Sequence, residues 1–218
     1  MRILIINPNT SRDFTQTIDA SAKKYASKDT EIVTVNPKDG PDYLDTPASQ
    51  AMQIPKVVDI VKENLNKYDE FVIACGADPG LEECRKITPR VLGINQAAVM
   101  TACAMTTKIS FLTVTQWPAA LIAERMRRYS IDPSRCASAR CVGSEVGKDI
   151  VANRHEKRQL YYDVGKRCIE EDGAGALILT CAGTSDLKEF LEDGLHVPVI
   201  AGAVSAVKIA EQMPAATK

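Results

Sequence analysis

The sequence predicts an α/β protein made of two halves of like topology, each with a parallel sheet covered by helices. Short apolar runs rich in β-branched residues alternate with helically periodic stretches along all 218 residues, which is typical of parallel sheets covered on both faces. Similar residues also recur at a constant offset of 106 positions. Because the offset holds across several elements, the two halves are expected to be related by a pseudo-twofold axis.

The first half is predicted to contain four strands, each an apolar run bounded by polar or turn-forming residues. The opening run Arg-Ile-Leu-Ile-Ile, before Asn7 and Pro8, illustrates the pattern. The predicted strands are 2–6, 30–36, 70–75 and 91–94, and the predicted helices are 15–26, 56–65, 81–87 and 97–106.

The second half repeats this alternation of strands and helices. The predicted strands are 108–114, 135–142, 176–181 and 197–200, and the predicted helices are 119–129, 157–171, 187–191 and 203–213. Two stretches without clear periodicity, 37–47 and 143–153, are predicted to be loops over a cleft.

Matched residues define the repeat. The pairs separated by 106 positions are Ile3 and Ile109, Cys75 and Cys181, Leu81 and Leu187, Val91 and Val197, Ile94 and Ile200, and Ala97 and Ala203. The expected division is residues 1–97 as the first half, joined by the C-terminal helix 203–218, and residues 98–202 as the second half.

Composition excludes several classes of partner. Apolar residues make up 45% of the chain and the net charge is −1 with scattered charges, so neither nucleic acid nor membrane is an expected partner. The opening apolar run is too short for a signal peptide, and Thr101 interrupts the longest run, 97–105. A cytoplasmic protein with a small-molecule partner is therefore predicted. The seven cysteines are an odd number, which favours free thiols over a disulfide framework.

Cys75 follows an apolar strand and should lie at the carboxyl end of a sheet, where ligands of α/β proteins bind. Asp78 is predicted to be the N-cap of the next helix, with Pro79 as its first residue. A thiol in this position faces backbone N–H groups and the positive end of a helix, which favour thiolate. The small residues Gly76 and Ala77 would let a ligand oxygen approach the backbone amides.

Cys181 ends an equivalent strand and is followed by the small residues Ala182 and Gly183. Two equivalent thiols facing each other across the pseudo-axis suit the inversion of a stereocentre, since one group removes a proton from one face and the other donates to the opposite face. The other five cysteines are assigned no catalytic role. Cys84, Cys103 and Cys168 lie in helical patterns, whereas Cys136 and Cys141 are expected on opposite faces of one strand.

Other motifs do not fit their families. The sequence 173–175 lacks the third glycine of a dinucleotide fingerprint, 143–149 has the wrong spacing for a P-loop, and 183–187 lacks the second glycine of a nucleophile elbow. A zinc site built from Cys136, Cys141 and one histidine would match no common ligand spacing. No metal or cofactor is therefore predicted.

The sequence resembles the hydantoin racemase branch of the aspartate/glutamate racemase superfamily. The stretches that carry the resemblance span nearly the whole chain and are 3–10, 73–75 with 78–81, 181–183, and 197–200. The resemblance implies two Rossmann-like halves with the active site in the cleft between them, no cofactor, and a homo-oligomer. It also implies that Cys75 and Cys181 act as thiolate base and thiol acid.

The substrates implied by the resemblance are 5-substituted hydantoins or allantoin, whose ring carbonyls accept the carbanion charge as an enolate. Backbone amides after each cysteine would stabilise that enolate. Asn7 resembles the family's polar residue beside the substrate, or is a turn former before Pro8. Thr113 and Thr115 are candidates to bind a substrate carbonyl, or only satisfy local backbone groups. Gly76 stands where many relatives have an aromatic residue, so the pocket for the 5-substituent is expected to be more open.

Three alternatives remain open. A maleate-type cis–trans isomerase uses two cysteines on the same fold, one as a covalent nucleophile, and an amino-acid racemase uses the same fold with polar residues after its cysteines. Gly76 and Ala182 favour a neutral ring over a carboxylate. The third alternative is a non-enzymatic, two-lobed protein that binds a small ligand.

Overall fold

The computed structural model describes residues 1–143 and 147–213. It divides into two compact units, one formed by Met1–Ala97 together with the chain from Ala203 onward, and the other by Ala98–Gly202. Each unit contains a four-stranded parallel sheet with α-helices packed on it. The α/β class and the parallel sheets are thus confirmed.

The first unit orders its strands β2-β1-β3-β4. Its core places Leu4, Ile6, Phe71 and Ile73 of the sheet against Val57 and Val61 of one helix. The elements are β1 Arg2–Ile6, α1 Arg12–Tyr25, β2 Glu31–Val35, α2 Pro47–Asn64, β3 Glu70–Ile73, α3 Leu81–Arg85, β4 Val91–Gly93 and the start of α4 Ile94–Met105.

The second unit orders its strands β6-β5-β7-β8, which is the same connectivity as in the first unit. The prediction of two halves of like topology is therefore confirmed. The elements are β5 Ile109–Thr113, α5 Ala119–Arg128, a 3₁₀ helix Pro133–Arg135, β6 Cys136–Cys141, α6 Gly147–Ala152, α7 Arg158–Glu170, β7 Ala176–Leu179, a 3₁₀ helix Ala182–Leu187, α8 Lys188–Leu195 and β8 Val199–Ala201, with α9 Gly202–Gln212 following.

Strand register brings the two cysteines to corresponding positions in their own sheets. Ile6 of β1 pairs with Ile73 of β3, and Leu112 of β5 pairs with Leu179 of β7. Each cysteine lies two residues beyond the last residue of its strand, at the carboxyl end of the sheet.

Helix α2 is longer than its periodicity predicts. It begins at Pro47 because Thr46 and Ser49 form a capping box and Pro47 fits the first turn. Pro55 lies inside the helix, although proline cannot donate the usual backbone hydrogen bond there.

The predicted loop 143–153 is partly wrong, because α6 occupies Gly147–Ala152. Ser144, Glu145 and Val146 of that loop, and of the P-loop-like segment, lie outside the described residues. Residues 214–218 of the predicted C-terminal helix also lie outside them.

The alternation expected for Cys136 and Cys141 does not hold. Ile109 pairs with Cys136 but Ser110 pairs with Ser138, so Ala137 is an extra residue on β6. This bulge shifts the alternation by one position, and the two cysteines do not follow the simple two-residue period from which opposite faces are expected.

Within residues 1–143 and 147–213, no helix is long and apolar enough to cross a membrane.

Candidate active site

The turn after β3 presents Cys75. The chain continues the ladder for one residue, since the Ala74 N–H donates to the Ile6 carbonyl at 2.8 Å. The Asp78 N–H then donates to the Cys75 carbonyl at 2.9 Å, which closes the turn. Cys75, Gly76 and Ala77 are all partly buried, so the thiol lies in a tight turn at the edge of the sheet and remains accessible.

Asp78 caps a different helix from the one that the sequence predicts. Its carboxylate accepts hydrogen bonds from the Asn95 N–H at 3.0 Å and the Gln96 N–H at 2.9 Å, at the start of α4. Helix α3 begins only at Leu81, with Gly80 as its N-cap at φ 81° and no side-chain cap. The predicted cap at Asp78 and first helical residue at Pro79 are therefore wrong. The carboxylate instead ties the cysteine turn to the N-terminus of α4.

Gly93 makes room for this cap. A Cβ atom at Gly93 would lie 2.3 Å from the Asp78 carboxyl carbon, much closer than van der Waals contact. Asp78 itself has φ 47° and is 1% exposed. The turn after Cys75 therefore depends on Asp78, which has a left-handed backbone conformation and packs its side chain against Gly93.

Asn7 lies immediately past β1 and is 1% exposed. Its Nδ2 lies within hydrogen-bond distance of Asn9 Oδ1 and Thr15 Oγ1, both at 2.9 Å, and of the Ser11 carbonyl at 3.4 Å. Among the bonds of the described residues, its Oδ1 accepts only a long 3.4 Å bond from the Asn9 N–H. The side chain thus organises the β1–α1 loop beside Ala74, and Oδ1 is its remaining acceptor.

The turn after β7 presents Cys181 differently. Cys181 is partly buried and is the N-cap of the 3₁₀ helix Ala182–Leu187. The Thr184 N–H and hydroxyl both donate to the Cys181 carbonyl, at 3.1 and 2.7 Å. Ala182 and Gly183 are buried inside this helix. The turn after Cys181 is therefore a 3₁₀ helix, whereas the turn after Cys75 contains Asp78 in a left-handed backbone conformation.

Thr113 and Thr115 lie at the carboxyl end of the neighbouring strand β5 in the second unit. Thr113 is the last residue of β5 and is fully buried, and its hydroxyl has no hydrogen-bond partner among the described residues. Thr115 lies two residues further along and is partly buried. Thr113 is the repeat counterpart of Asn7, since it follows that residue by 106 positions.

Sequence reasoning missed a group of side chains around the second cysteine. Arg154 pairs with Asp186 through Nε and Nη2, with distances of 2.8 and 2.6 Å to the carboxylate. Tyr161 of α7 is fully buried, and Cys141 ends β6 with its thiol donating to the Gly143 carbonyl at 3.1 Å. Only the helical register of α7 could have indicated that Tyr161 faces the sheet.

All seven cysteines are free thiols. Burial raises the pKa of Cys84 and of Cys136 to about 11, and burial also raises the pKa of Cys103 and of Cys168. These four thiols are protonated at neutral pH and are unsuited to act as a base.

No three His, Cys, Asp or Glu side chains of the described ranges are grouped so that they could hold a metal ion. Among the described residues, Cys136, Cys141 and a histidine therefore do not form such a group. His155 Nε2 lies 3.0 Å from the Asp186 carboxylate, and His196 ends α8 in the left-handed conformation.

The family model that matches this chain describes racemases, and several of its relatives are hydantoin racemases. Residues 3–210 match the family model described as Asp/Glu/Hydantoin racemase. A hydantoin racemase from Pseudomonas sp. (strain NS671) is 35% identical over 213 residues, which cover 97% of this chain and 85% of that protein.

Two solved structures are similar over most of their length. The allantoin racemase from Klebsiella pneumoniae has a TM-score of 0.87 at 30% identity, covering 97% of this chain and 86% of that one. The allantoin racemase from Pseudomonas fluorescens has a TM-score of 0.88 at 29% identity, covering 97% and 89%.

Proposed function

The chain belongs to the Asp/Glu/hydantoin racemase family, and we propose that it is a cofactor-independent racemase of 5-substituted hydantoins or allantoin. Cys75 and Cys181 are the proposed acid–base pair. The observation that carries this proposal is that two units of the same topology each present a partly buried cysteine two residues beyond the equivalent strand.

The proposed reaction needs one thiolate and one thiol. The thiolate sulfur takes the proton from C5 of the ring, and the electron pair of that C–H bond moves into the ring to form an enolate. The other thiol then donates its proton to C5 on the opposite face. The two cysteines have exchanged protonation states at the end, so the enzyme is ready to process the opposite enantiomer.

Backbone N–H groups are the proposed stabilisers of the enolate. In the second unit, Ala182 and Gly183 precede the first hydrogen bond of the 3₁₀ helix, from the Thr184 N–H to the Cys181 carbonyl, so their N–H groups have no partner within that helix. In the first unit, Gly76 has no side chain and Ala77 has only a methyl group, so a ring oxygen can approach this backbone closely. Fixed donors of this kind act where charge develops in the transition state.

Three polar residues are proposed to orient the ring. Asn7 Oδ1 can accept a ring N–H, because its long bond from Asn9 is readily replaced. The buried Thr113 hydroxyl can donate to a ring carbonyl, and Thr115 lies further out on the same segment. A neutral ring that carries both donors and acceptors fits this set better than a free carboxylate.

The test is the loss of optical rotation from the L and D forms of several 5-substituted hydantoins and from (S)-allantoin, with the α-hydrogen followed in deuterated water. Wild type should racemise at least one ring and exchange its α-hydrogen with solvent. Cys75→Ser and Cys181→Ser should each reduce racemisation by about a thousandfold or more, because serine is a much weaker acid and base at neutral pH.

The matched control is Cys103→Ser, which replaces another partly buried thiol, in α4. It should retain most of the activity. No racemisation of any ring at high enzyme concentration would contradict the substrate proposal and direct the assay to maleate and amino acids. Ligand binding without exchange of the α-hydrogen would favour the non-enzymatic alternative.

A homo-oligomeric state and a cytoplasmic location complete the proposal. Sedimentation equilibrium of the purified chain would test the first, and fractionation of cells that express the tagged protein would test the second.

A further inference from the structure

Tyr161 carries a polar group that the described contacts do not explain. The side chain projects from α7, is fully buried, and its hydroxyl has no hydrogen-bond partner among residues 1–143 and 147–213. Buried tyrosine hydroxyls usually have a partner, since an unpaired one loses its hydration without compensation. This hydroxyl can therefore donate a hydrogen bond to a neighbouring group that becomes negatively charged when it loses its proton.

Four ionisable groups on neighbouring elements act electrostatically on this hydroxyl. They are Cys181 beyond β7, Asp186 in the 3₁₀ helix, Arg154 before α7, and Cys141 at the end of β6. Strand alternation agrees with the first of these. Leu177 of β7 points toward Gly165 of α7, and Cys181 continues the same two-residue period in extended backbone, φ −98° and ψ 124°.

Asp186, Cys141 and Arg154 are each less suited than Cys181 to accept a hydrogen bond from the phenol. The Asp186 carboxylate is held by Arg154 at 2.6 Å and by His155 at 3.0 Å. The Cys141 thiol donates to the Gly143 carbonyl. Arg154 is a cation and only donates hydrogen bonds. Strand alternation places the Cys181 sulfur on the α7 side of its sheet, and of the four charged groups Cys181 has the largest effect on the phenol, so this sulfur is the favoured acceptor.

The phenol is a donor at any physiological pH. Burial raises its pKa above the usual value, the negative charges at Cys181, Asp186 and Cys141 raise it further, and Arg154 opposes them. The hydroxyl therefore keeps its proton and can offer it to a neighbouring anion.

We propose that Tyr161 is a positioning residue whose hydroxyl donates a hydrogen bond to the Cys181 sulfur when that sulfur is a thiolate. The inference rests on the proposed function for its purpose. The hydrogen bond favours the ionised form of Cys181 and fixes the direction of the sulfur after it has given up its proton.

The test measures alkylation of Cys181 by iodoacetamide against pH, with the modified peptide quantified by mass spectrometry. It compares wild type with Tyr161→Phe and with Tyr162→Phe, which removes the hydroxyl of the adjacent, partly buried tyrosine. Tyr161→Phe should raise the pH at which alkylation of Cys181 is half-maximal, the alkylation midpoint, by about one unit. This corresponds to roughly a tenfold loss of thiolate below the midpoint. Tyr162→Phe should leave the midpoint unchanged.

An unchanged midpoint in Tyr161→Phe, or an equal shift in Tyr162→Phe, would overturn the proposal. A purely structural tyrosine would lower the melting temperature without moving the midpoint, whereas this variant should melt at or above wild type. If Tyr161→Phe does not fold, wild type containing 3-fluorotyrosine provides the test, because the more acidic phenol should lower the midpoint.

The alkylation result does not depend on the substrate. An enzyme that racemises no hydantoin would contradict the proposed function and still report the Cys181 midpoint. Where activity is present, the acidic limb of the kcat/KM profile should move to higher pH in Tyr161→Phe. The change must be equal for the two enantiomers, because they have the same free energy in solution.

Discussion

Glu70 is a buried carboxyl at the first position of β3, 4% exposed, and its Oε2 has no hydrogen-bond partner among the described residues. Burial raises its pKa from 4.5 to about 7, with Arg90 opposing and Asp69 adding to the shift. Arg90 does not form a close pair with it, because the guanidinium donates to the Tyr68 and Leu65 carbonyls. The folded protein therefore holds a proton on Glu70 that the unfolded chain releases.

The predicted consequence is a loss of stability as pH rises. Because the folded pKa is raised, the unfolded state binds fewer protons between pH 4.5 and about 7, and the free energy of unfolding falls through that window by about 3 kcal/mol. Glu70→Gln should stabilise the protein at about pH 8 and have little effect at about pH 5, as measured by urea unfolding. Glu63→Gln, on the exposed face of α2, is the control and should show no such dependence.

At this scale the sequence identifies residues whose position follows from the chain itself. Cys75 and Cys181 are predictable because an apolar run ends just before each of them. Tyr161 is not, because helical periodicity shows that it is buried but not which strand end it faces. The bulge at Ala137 is equally hidden, since one unpaired residue leaves no signature in composition.

At the scale of elements, Asp78 joins the turn after Cys75 to the start of α4, and its side chain packs against Gly93. We predict that Gly93→Ala destabilises the protein by about 1–3 kcal/mol, because the new methyl would overlap a carboxylate that is fixed by two backbone N–H groups. Gly173→Ala is the control. Gly173 has φ 74° with no atom within 4 Å of an added Cβ, so the substitution should cost only the backbone strain, about 1 kcal/mol.

A double-mutant cycle separates the steric overlap of the new methyl group with the Asp78 carboxylate from other effects of Gly93→Ala. Asp78→Gly removes the carboxylate and suits the left-handed backbone at that position. In this background Gly93→Ala should cost markedly less than in wild type, by thermal or urea unfolding. Equal costs in the two backgrounds would mean that the destabilisation has another origin.

Elements were predictable where one face is continuously apolar, as in β1, whose bounds agree with the sequence prediction. They were mispredicted where local chemistry competes. Pro55 suggests a helix boundary, but packing of Val57 and Val61 against the sheet carries α2 through it. Thr46 and Pro47 were the available signal for its true start. The sequence predicts Asp78 to cap the next helix along the chain, although a cap can serve any helix that begins nearby in space.

The whole molecule is joined through helices at both unit boundaries. One boundary falls between Ala97 and Ala98, inside α4, and the other falls between Gly202 and Ala203, at the start of α9. A boundary inside a continuous helix requires that helix to fray or unwind when one unit unfolds alone. The two units are therefore expected to unfold in one cooperative transition. The repeat in the sequence reveals two halves, but not this coupling of their stabilities.

Glu211 of α9 tests this coupling. Its carboxylate accepts hydrogen bonds from the Ser27 N–H at 2.6 Å and from Lys208 at 2.9 Å, and its side chain is 6% exposed. Burial alone would raise its pKa, but the bonds from Ser27, Lys208 and Thr30 outweigh burial and lower the pKa to about 2. The folded pKa is depressed, so the stabilisation is complete above pH 4.5 and is lost as pH falls toward 2.

Glu211→Gln should therefore cost about 3 kcal/mol at neutral pH and almost nothing near pH 2. Trp117 is the only tryptophan and lies in the second unit, whereas Glu211 lies in the first. Coupled unfolding predicts that Glu211→Gln lowers the urea midpoint from Trp117 fluorescence by the same amount as the midpoint from far-ultraviolet circular dichroism. A fluorescence midpoint that stays at the wild-type value while the dichroism midpoint falls would mean that the units unfold independently, because a mutation in the first unit would then leave the second untouched.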